Sequence, residues 1–123
     1  ADPYRIGTPY TKRGSGLCEL PIGVTGDRTG RLPYIGTNVV LAGKLGARLL
    51  TRLAAGRSFV NLELHGIDLA DAREDGLEVL APHQPDLRRT AAAKRDALVS
   101  AIGELRRRGF RFVALAEAAA HYA

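Results

Sequence analysis

The hydrophobic and polar positions along the chain predict three strands that alternate with three helices. An apolar run over residues 17–24 alternates with polar positions and predicts a strand, in which Pro21 requires an edge position or a bulge because proline donates no ladder hydrogen bond. Residues 59–65 carry the best strand pattern, with an apolar side chain at every second position. Residues 110–115 predict the third strand, and residues 1–16, with their prolines and glycines, predict a loop.

Each predicted strand is followed by a segment with helical periodicity. The first helix can be capped by Thr37 and Asn38 and runs to about residue 55. The second covers residues 85–108, and a short third helix covers residues 116–122. The apolar residues of the first helix recur at spacings near 4 and are expected to form its buried face: Val40, Leu41, Leu45, Leu49 and Leu53.

This order of elements predicts an α/β fold built on a parallel sheet. Alternation of strand and helix favours right-handed crossover connections, which join parallel strands. Three strands cannot close a barrel by themselves, so the pattern allows either a small open sheet or one segment of a larger (β/α) barrel. The connection over residues 66–85 has the length of a functional loop rather than of a plain connector.

Composition narrows the class of protein. With 123 residues, 46% hydrophobic and 25% charged, the chain has the size and apolar content of one small globular domain. The net charge of +5 comes mainly from arginine, in short runs at residues 88–89 and 106–108. Because a solvated helix face or a helix C-terminus explains those runs, nucleic-acid binding is not predicted. No stretch is long and apolar enough for a membrane span, and the single cysteine, Cys18, excludes an internal disulfide.

His65 is the candidate for catalysis. It stands at the C-terminal end of the predicted strand over residues 59–65, where active sites assemble in parallel α/β folds. An imidazole is suited to general acid–base chemistry, and the nearby carboxylate of Glu63 could orient it. Asp68 could hydrogen-bond either to His65 or to its own loop. The alternative for His65 is a structural histidine with satisfied hydrogen bonds.

The remaining ionisable residues predict no metal site. His65, His83 and His121 lie on different elements, without the spacing of metal ligands. His83 is expected to anchor a loop, and His121 is expected to be exposed near the end of the chain. Three acidic residues are expected to be mainly solvated in the loop after His65: Asp71, Glu74 and Asp75.

Several motifs resemble the closing segment of NodB-type polysaccharide deacetylases, which form carbohydrate esterase family four. In chain order they are ADPYR, GLCELPIGVT, LELHGIDL, APHQPDL and GFRFVALAEAA. The resemblance implies that residues 1–123 are the C-terminal half of a deacetylase domain and part of an incomplete (β/α) barrel. It also implies that His65 is the general acid that protonates the leaving amine. From their positions near His65, Glu63 or Asp68 is expected to support it.

The same resemblance implies parts of an enzyme that lie outside this chain. Such deacetylases hold a divalent metal, usually zinc, with an aspartate and two histidines of the N-terminal half, so this chain alone is expected to bind no metal. The expected partners are that N-terminal half or another copy of the chain, together with a carbohydrate substrate. Pro3 and Tyr4 are expected to line the substrate groove. Because the chain contains no methionine, we also expect it to be a fragment.

Two other functions remain open from the sequence. The complete protein could have lost its metal ligands and act as a carbohydrate-binding or structural barrel. A small basic nucleic-acid-binding domain is the weaker alternative. If the deacetylase resemblance holds, the protein is bacterial, from the cytoplasm or the cell envelope, and its isolated C-terminal half is inactive.

Overall fold

The computed structural model describes residues 2–26 and 32–122. Two short strands and three helices are joined by loops that contain three 3₁₀ turns. The strands and helices are β1 (Tyr4–Ile6), β2 (Arg13–Glu19), α1 (Gly36–Ala54), α2 (Ala91–Arg107) and α3 (Leu115–His121). The 3₁₀ turns lie between α1 and α2, at Gly66–Asp68, Glu78–Leu80 and Pro85–Arg88.

The predicted parallel sheet is wrong. Across the described residues, the only sheet is the antiparallel hairpin of β1 and β2, in which Tyr4 pairs with Glu19. The strand predicted over residues 17–24 is displaced, because β2 starts earlier and ends at Glu19, before Pro21. The structure therefore contradicts the α/β assignment and gives no indication of a (β/α) barrel segment.

β2 begins inside the segment that was predicted to be a loop, because its glycines allow close pairing. A Cβ atom on Gly14 would lie 2.5 Å from the Cα of Gly7, and one on Gly16 would lie 2.5 Å from the carbonyl oxygen of Ile6. Real Cβ atoms do not approach other atoms so closely, so these glycines mark a close backbone approach rather than flexibility.

The segment over residues 59–65 is extended but does not form the predicted strand. Among the described residues, it takes part in one isolated parallel bridge, between Ile35 and Glu63, and its Asn61 carbonyl oxygen accepts the Gly23 N–H at 2.8 Å. The carbonyl oxygen of Glu63 accepts a hydrogen bond from the Gly36 N–H at 2.7 Å, and α1 begins at that glycine, so the ladder ends there. The strand predicted over residues 110–115 is also wrong, since no pairing is present and α3 begins at Leu115. An alternating pattern specifies the face of a segment but does not supply its partner.

α1 buries a different face from the one that its leucine spacing predicted. Leu45 is 81% exposed and Leu49 is 59% exposed, although Val40 is buried as expected. Gly43 has a φ of 66°, and this left-handed residue kinks the helix and changes which side chains beyond it face inward. The core joins one face of α1 to α2, and it contains Tyr34, Val39, Val40, Ala47, Leu50, Ala54, Ala97, Leu98 and Ala101.

α2 is shorter than predicted because a capping residue interrupts the pattern. The hydroxyl oxygen of Thr90 accepts a hydrogen bond from the Ala93 N–H at 3.2 Å, so the helix starts at Ala91. Pro85–Arg88 forms a separate 3₁₀ turn instead of the first turn of the helix. None of the described helices is long and apolar enough to cross a membrane.

α1 and α2 lie side by side and run in the same direction. At one end, the loop over residues 65–75 makes hydrogen bonds to the first turns of both helices. At the other end, Arg52 in the last turn of α1 donates to Glu104 in the last turns of α2. The helix pair therefore has an N-terminal end, where Asp68 and Asp71 lie, and a C-terminal end, where Arg52 and Glu104 lie.

Candidate functional site

The loop over residues 65–75, called the His65 loop below, covers the N-terminal end of the helix pair. His65 is its first residue, and the imidazole is 59% exposed. The Nδ1 atom of this ring lies 3.8 Å from the Oδ2 atom of Asp68, whose side chain is fully buried. An exposed imidazole beside a buried carboxylate can reach a ligand through Nε2 while the carboxylate limits the orientation of the ring.

Asp68 is fixed by two hydrogen bonds from different elements. Its Oδ2 atom accepts the backbone N–H of His65 at 2.8 Å, and its Oδ1 atom accepts the Thr37 hydroxyl of α1 at 3.0 Å. The N-cap residue of α1, Ile35, makes no side-chain capping bond, so the Asp68 carboxylate supplies the negative charge at this helix N-terminus. The sequence left open whether Asp68 hydrogen-bonds to His65 or to its own loop; in the structure it accepts the backbone N–H of His65, and the imidazole lies 3.8 Å away without a hydrogen bond.

Gly36 provides the space that the Asp68 carboxylate occupies. A Cβ atom at this position would lie 2.1 Å from Oδ2 of Asp68 and 2.8 Å from a methyl carbon of Leu64. Any side chain here would displace the carboxylate that faces His65. Gly36 is thus part of the support of the candidate site, although it contacts no ligand-accessible atom itself.

Lys94 attaches the His65 loop to α2 from inside the protein. This side chain is fully buried, and its ammonium group donates to the carbonyl oxygens of Ile67 at 2.8 Å and Ala70 at 2.7 Å. The same ammonium lies 3.6 Å from Oδ2 of Asp86, which is also fully buried. Because buried carbonyl groups need hydrogen-bond partners, Lys94 fixes the backbone on both sides of Asp68.

Asp71 links the other end of the His65 loop to α2. Its Oδ2 atom accepts the N–H of Ala91, the first residue of the helix, at 3.1 Å. Its Oδ1 atom accepts the N–H groups of Arg73 and Glu74. These hydrogen bonds, with Ala91 the largest cause, lower the pKa of Asp71 from its ordinary value. The prediction that Asp71 is mainly solvated is wrong, because it is a buried helix cap.

The other predicted site residues are not in contact with His65. Glu63 is half-buried and takes part through its carbonyl oxygen, while its carboxylate forms no hydrogen bond or ion pair within the described residues. Pro3 is buried at the start of the hairpin. Tyr4 lies in β1, where the Arg13 guanidinium stands 5.8 Å from its ring centroid. Of the proposed supporting residues, the structure brings Asp68 alone to the imidazole.

The hairpin that carries Pro3 and Tyr4 approaches the C-terminal side of α1. Asp2, directly before it, lies 3.9 Å from Arg57, which follows the end of that helix. His65 lies beside the first turn of α1 instead. No hydrogen bond or ion pair within the described residues joins Pro3 or Tyr4 to His65.

The described residues do not fit a zinc site. Within residues 2–26 and 32–122, no three side chains of histidine, cysteine, aspartate or glutamate converge so that they could hold a metal ion. Asp68 already uses both of its oxygens as hydrogen-bond acceptors. His121 stands edge-on to the Tyr122 ring, with the centroids 4.9 Å apart, on α3. No chemical step proposed below depends on a metal held by these residues.

Lys94 and Gly36 were missed by the reasoning from sequence. Lys94 occupies the apolar face of α2, between Ala91 and Leu98, and a lone lysine at such a position is a usable signal for a buried amine with specific partners. Gly36 gives no comparable signal, because its neighbour Asp68 comes from a distant part of the sequence.

Comparison with known proteins adds no family assignment. The chain matches no protein-family model, no curated protein and no solved structure. The resemblance to NodB-type deacetylases therefore stays a prediction that depends on the motifs around His65.

Proposed function

We propose that this chain contributes the general acid to a metal-dependent N-deacetylase that acts on amino-sugar polymers. The observation that carries the proposal is the exposed His65 imidazole, whose Nδ1 atom faces the buried Asp68 carboxylate at 3.8 Å. This distance is longer than a hydrogen bond, as is common for catalytic pairs without a ligand. The LELHGIDL motif, in which both residues occur, supports the same reaction class.

The proposed step is a proton transfer that completes hydrolysis of an acetamide. A base outside this chain would take one proton from water as the water oxygen adds to the carbonyl carbon; the C–N bond then breaks, and the departing nitrogen takes a proton from Nε2 of His65. The products are acetate and a free sugar amine. Asp68 acts as a positioning residue, because it can hold the Nδ1 side of the ring and leave Nε2 to face the substrate.

The metal and its ligands belong to another polypeptide segment in this proposal. A divalent ion such as zinc would polarise the acetamide carbonyl when bound. Its ligands would come from a preceding half of the same domain. The fully buried Lys94 and Asp68 fix the His65 loop from the inside, so the imidazole can be pre-positioned before such a partner binds.

The direct test measures acetate release from N-acetylglucosamine oligomers by the chain combined with its preceding half and zinc. His65→Ala is expected to reduce kcat by about 10²- to 10⁴-fold, which is the usual loss of a general acid. His83→Ala is the matched control, because His83 is also an exposed histidine but has no carboxylate partner among the described residues. Wild-type kcat in His65→Ala, or no acetate release by the combined wild-type protein, would refute the proposal.

Asp68→Asn separates positioning from simple structural support. We expect kcat to fall while KM stays unchanged, since the residue would act through His65 and not on the substrate. If the variant also has a lower Tm, and its kcat falls only in proportion to the fraction of protein that is unfolded, Asp68 serves the fold alone. Oligosaccharide binding without any acetate release would favour the carbohydrate-binding alternative.

A further inference from the structure

Four arginines surround one buried carboxylate at the C-terminal end of the helix pair. The Glu104 side chain is 4% exposed, and it accepts hydrogen bonds from the Nε atoms of Arg48 and Arg52, both at 2.9 Å. Arg107 and Arg108 of the same helix region also donate to it. We call these four arginines and Glu104 the arginine cluster.

The charges in the arginine cluster do not balance. Hydrogen bonds from Arg107, and then from the other three arginines, hold the pKa of Glu104 far below its usual range, although burial opposes this effect. The carboxylate is therefore ionised at neutral pH and neutralises one guanidinium. Three positive charges remain uncompensated by the groups that touch Glu104.

The geometry leaves the terminal nitrogens of these arginines available. Arg48, Arg52 and Arg108 each use Nε to bind Glu104, and their Nη atoms form no hydrogen bond with any described residue. The four side chains are between 41% and 54% exposed. Glu104 thus orders several guanidinium groups, and a ligand in solution can still reach their outer edges.

A helix dipole explains only part of this arrangement. Arg107 and Arg108 lie at the end of α2, where positive charge is favourable, and Arg52 lies in the last turn of α1. Arg48 lies one turn further from that end. The guanidinium groups are held close together although they repel each other. Such a group of positive charges is complementary to a phosphate, because arginine donates paired hydrogen bonds to phosphate oxygens.

A cavity beside the arginine cluster offers room for the remainder of a phosphate-bearing molecule. It has a volume of about 360 Å³, and Arg108 lines it as well as binding Glu104. The rings of Phe59 and Tyr122, which pack edge to face with centroids 5.6 Å apart, form part of its wall. A charged edge next to an aromatic wall suits a phosphate joined to a small organic group.

We propose that Arg48, Arg52, Arg107 and Arg108 form a binding site for a multiply charged phosphate group. α2 has 17 residues and is about 25 Å long, so this site is remote from His65. It is independent of the proposed deacetylase function and can be tested without any catalytic assay.

The test is titration calorimetry of the wild-type chain with inorganic pyrophosphate, at a fixed ionic strength set with chloride. The double variant Arg48→Gln/Arg52→Gln is expected to bind at least about 10-fold more weakly, because charge-assisted hydrogen bonds are lost. A second double variant, Arg107→Gln/Arg108→Gln, changes the arginines at the end of α2 and should lose a similar amount of affinity. It replaces the first double variant in the test if that one does not fold. Arg95→Gln is the matched control, since Arg95 is an exposed arginine of α2 that is not in the arginine cluster.

Two further measurements decide the outcome and the source of the phosphate. Acetate at the same ionic strength should bind much more weakly than pyrophosphate. Binding of the chain to vesicles of phosphatidylcholine with phosphatidic acid tests whether a lipid headgroup is the source of the phosphate. If pyrophosphate competes with the vesicles for the chain, both bind at the arginine cluster. Wild-type protein that binds pyrophosphate no better than acetate, or double variants that both bind like the wild type, would overturn the proposal.

Discussion

The two ends of the helix pair each contain a buried carboxylate, but the two carboxylates have different partners. At the N-terminal end, Asp68 accepts a hydroxyl and a backbone N–H, and no guanidinium of the described residues touches it. At the C-terminal end, Glu104 is surrounded by four arginines. Helix dipoles favour this distribution of charge, because negative groups are stabilised at N-termini and positive groups at C-termini.

This difference determines which group each end presents to solvent. Asp68 lies beside one exposed imidazole, the side chain most often used as a general acid or base. Glu104 holds several guanidiniums, which stay charged and can only bind. Our two proposals assign acid–base chemistry to the N-terminal end and anion binding to the C-terminal end. Three stability measurements test the difference between the two ends.

Lys94→Met should have the largest effect, because it removes a buried charge from the N-terminal end. The variant leaves Asp86 and the carbonyl groups of Ile67 and Ala70 without their ammonium partner. We expect the free energy of unfolding to fall by about 3 to 5 kcal/mol, measured by urea denaturation. Arg95→Met, on the exposed side of α2, is the control and should change little. An unchanged stability in Lys94→Met would mean that the His65 loop is not fixed from within.

Gly36→Ala should have the second largest effect. Alanine normally stabilises a helix relative to glycine, but here its Cβ atom would lie 2.1 Å from the Asp68 carboxylate. We expect a loss of about 1 to 3 kcal/mol, which is typical of overpacking. Gly66→Ala, next to His65, is the control because a Cβ atom at that position would meet nothing within 4 Å beyond its chain neighbours. A stabilised Gly36→Ala would contradict the close packing of Asp68 against α1.

Glu104→Gln should have the smallest effect, because the four arginines are half-exposed and can turn to water. We expect the Tm to fall by several degrees at neutral pH, measured by circular dichroism. Since the folded-state pKa of Glu104 is lowered, its charge stabilises the fold above the ordinary value of 4.5 and this contribution decreases as the pH falls below it. The difference between the variant and the wild type should therefore shrink in acid.

Glu117→Gln is the control for that experiment. Glu117 pairs with a single arginine at 3.2 Å and is 55% exposed, so its removal should change the Tm little at any pH. If the two variants behave alike, the arginine cluster has no special electrostatic role.

The sequence located the helices and the candidate acid better than it located the sheet. α1, α2 and α3 lie within a few residues of their predicted positions, except where Thr90 delays the start of α2. The extended segment over residues 59–65 was also recognisable, but its pattern gave no information about a partner strand. His65 was singled out as a polar residue at the end of this segment, and the structure exposes its ring there, although its catalytic role stays a prediction.

The helices were predictable because they depend on interactions between residues that are close in the sequence. Helical hydrogen bonds join residues four positions apart, so periodicity in a short window places α1, α2 and α3 approximately. The predicted caps of α1 are wrong, because Thr37 and Asn38 lie inside the helix and Ile35 is its N-cap. The tertiary structure alone decided the contacts between distant residues, such as the 31-residue separation of Thr37 from Asp68 and the 56-residue separation of Arg48 from Glu104. Such pairs depend on how the helices pack, because burial makes each carboxylate accept whichever donors the packing brings close.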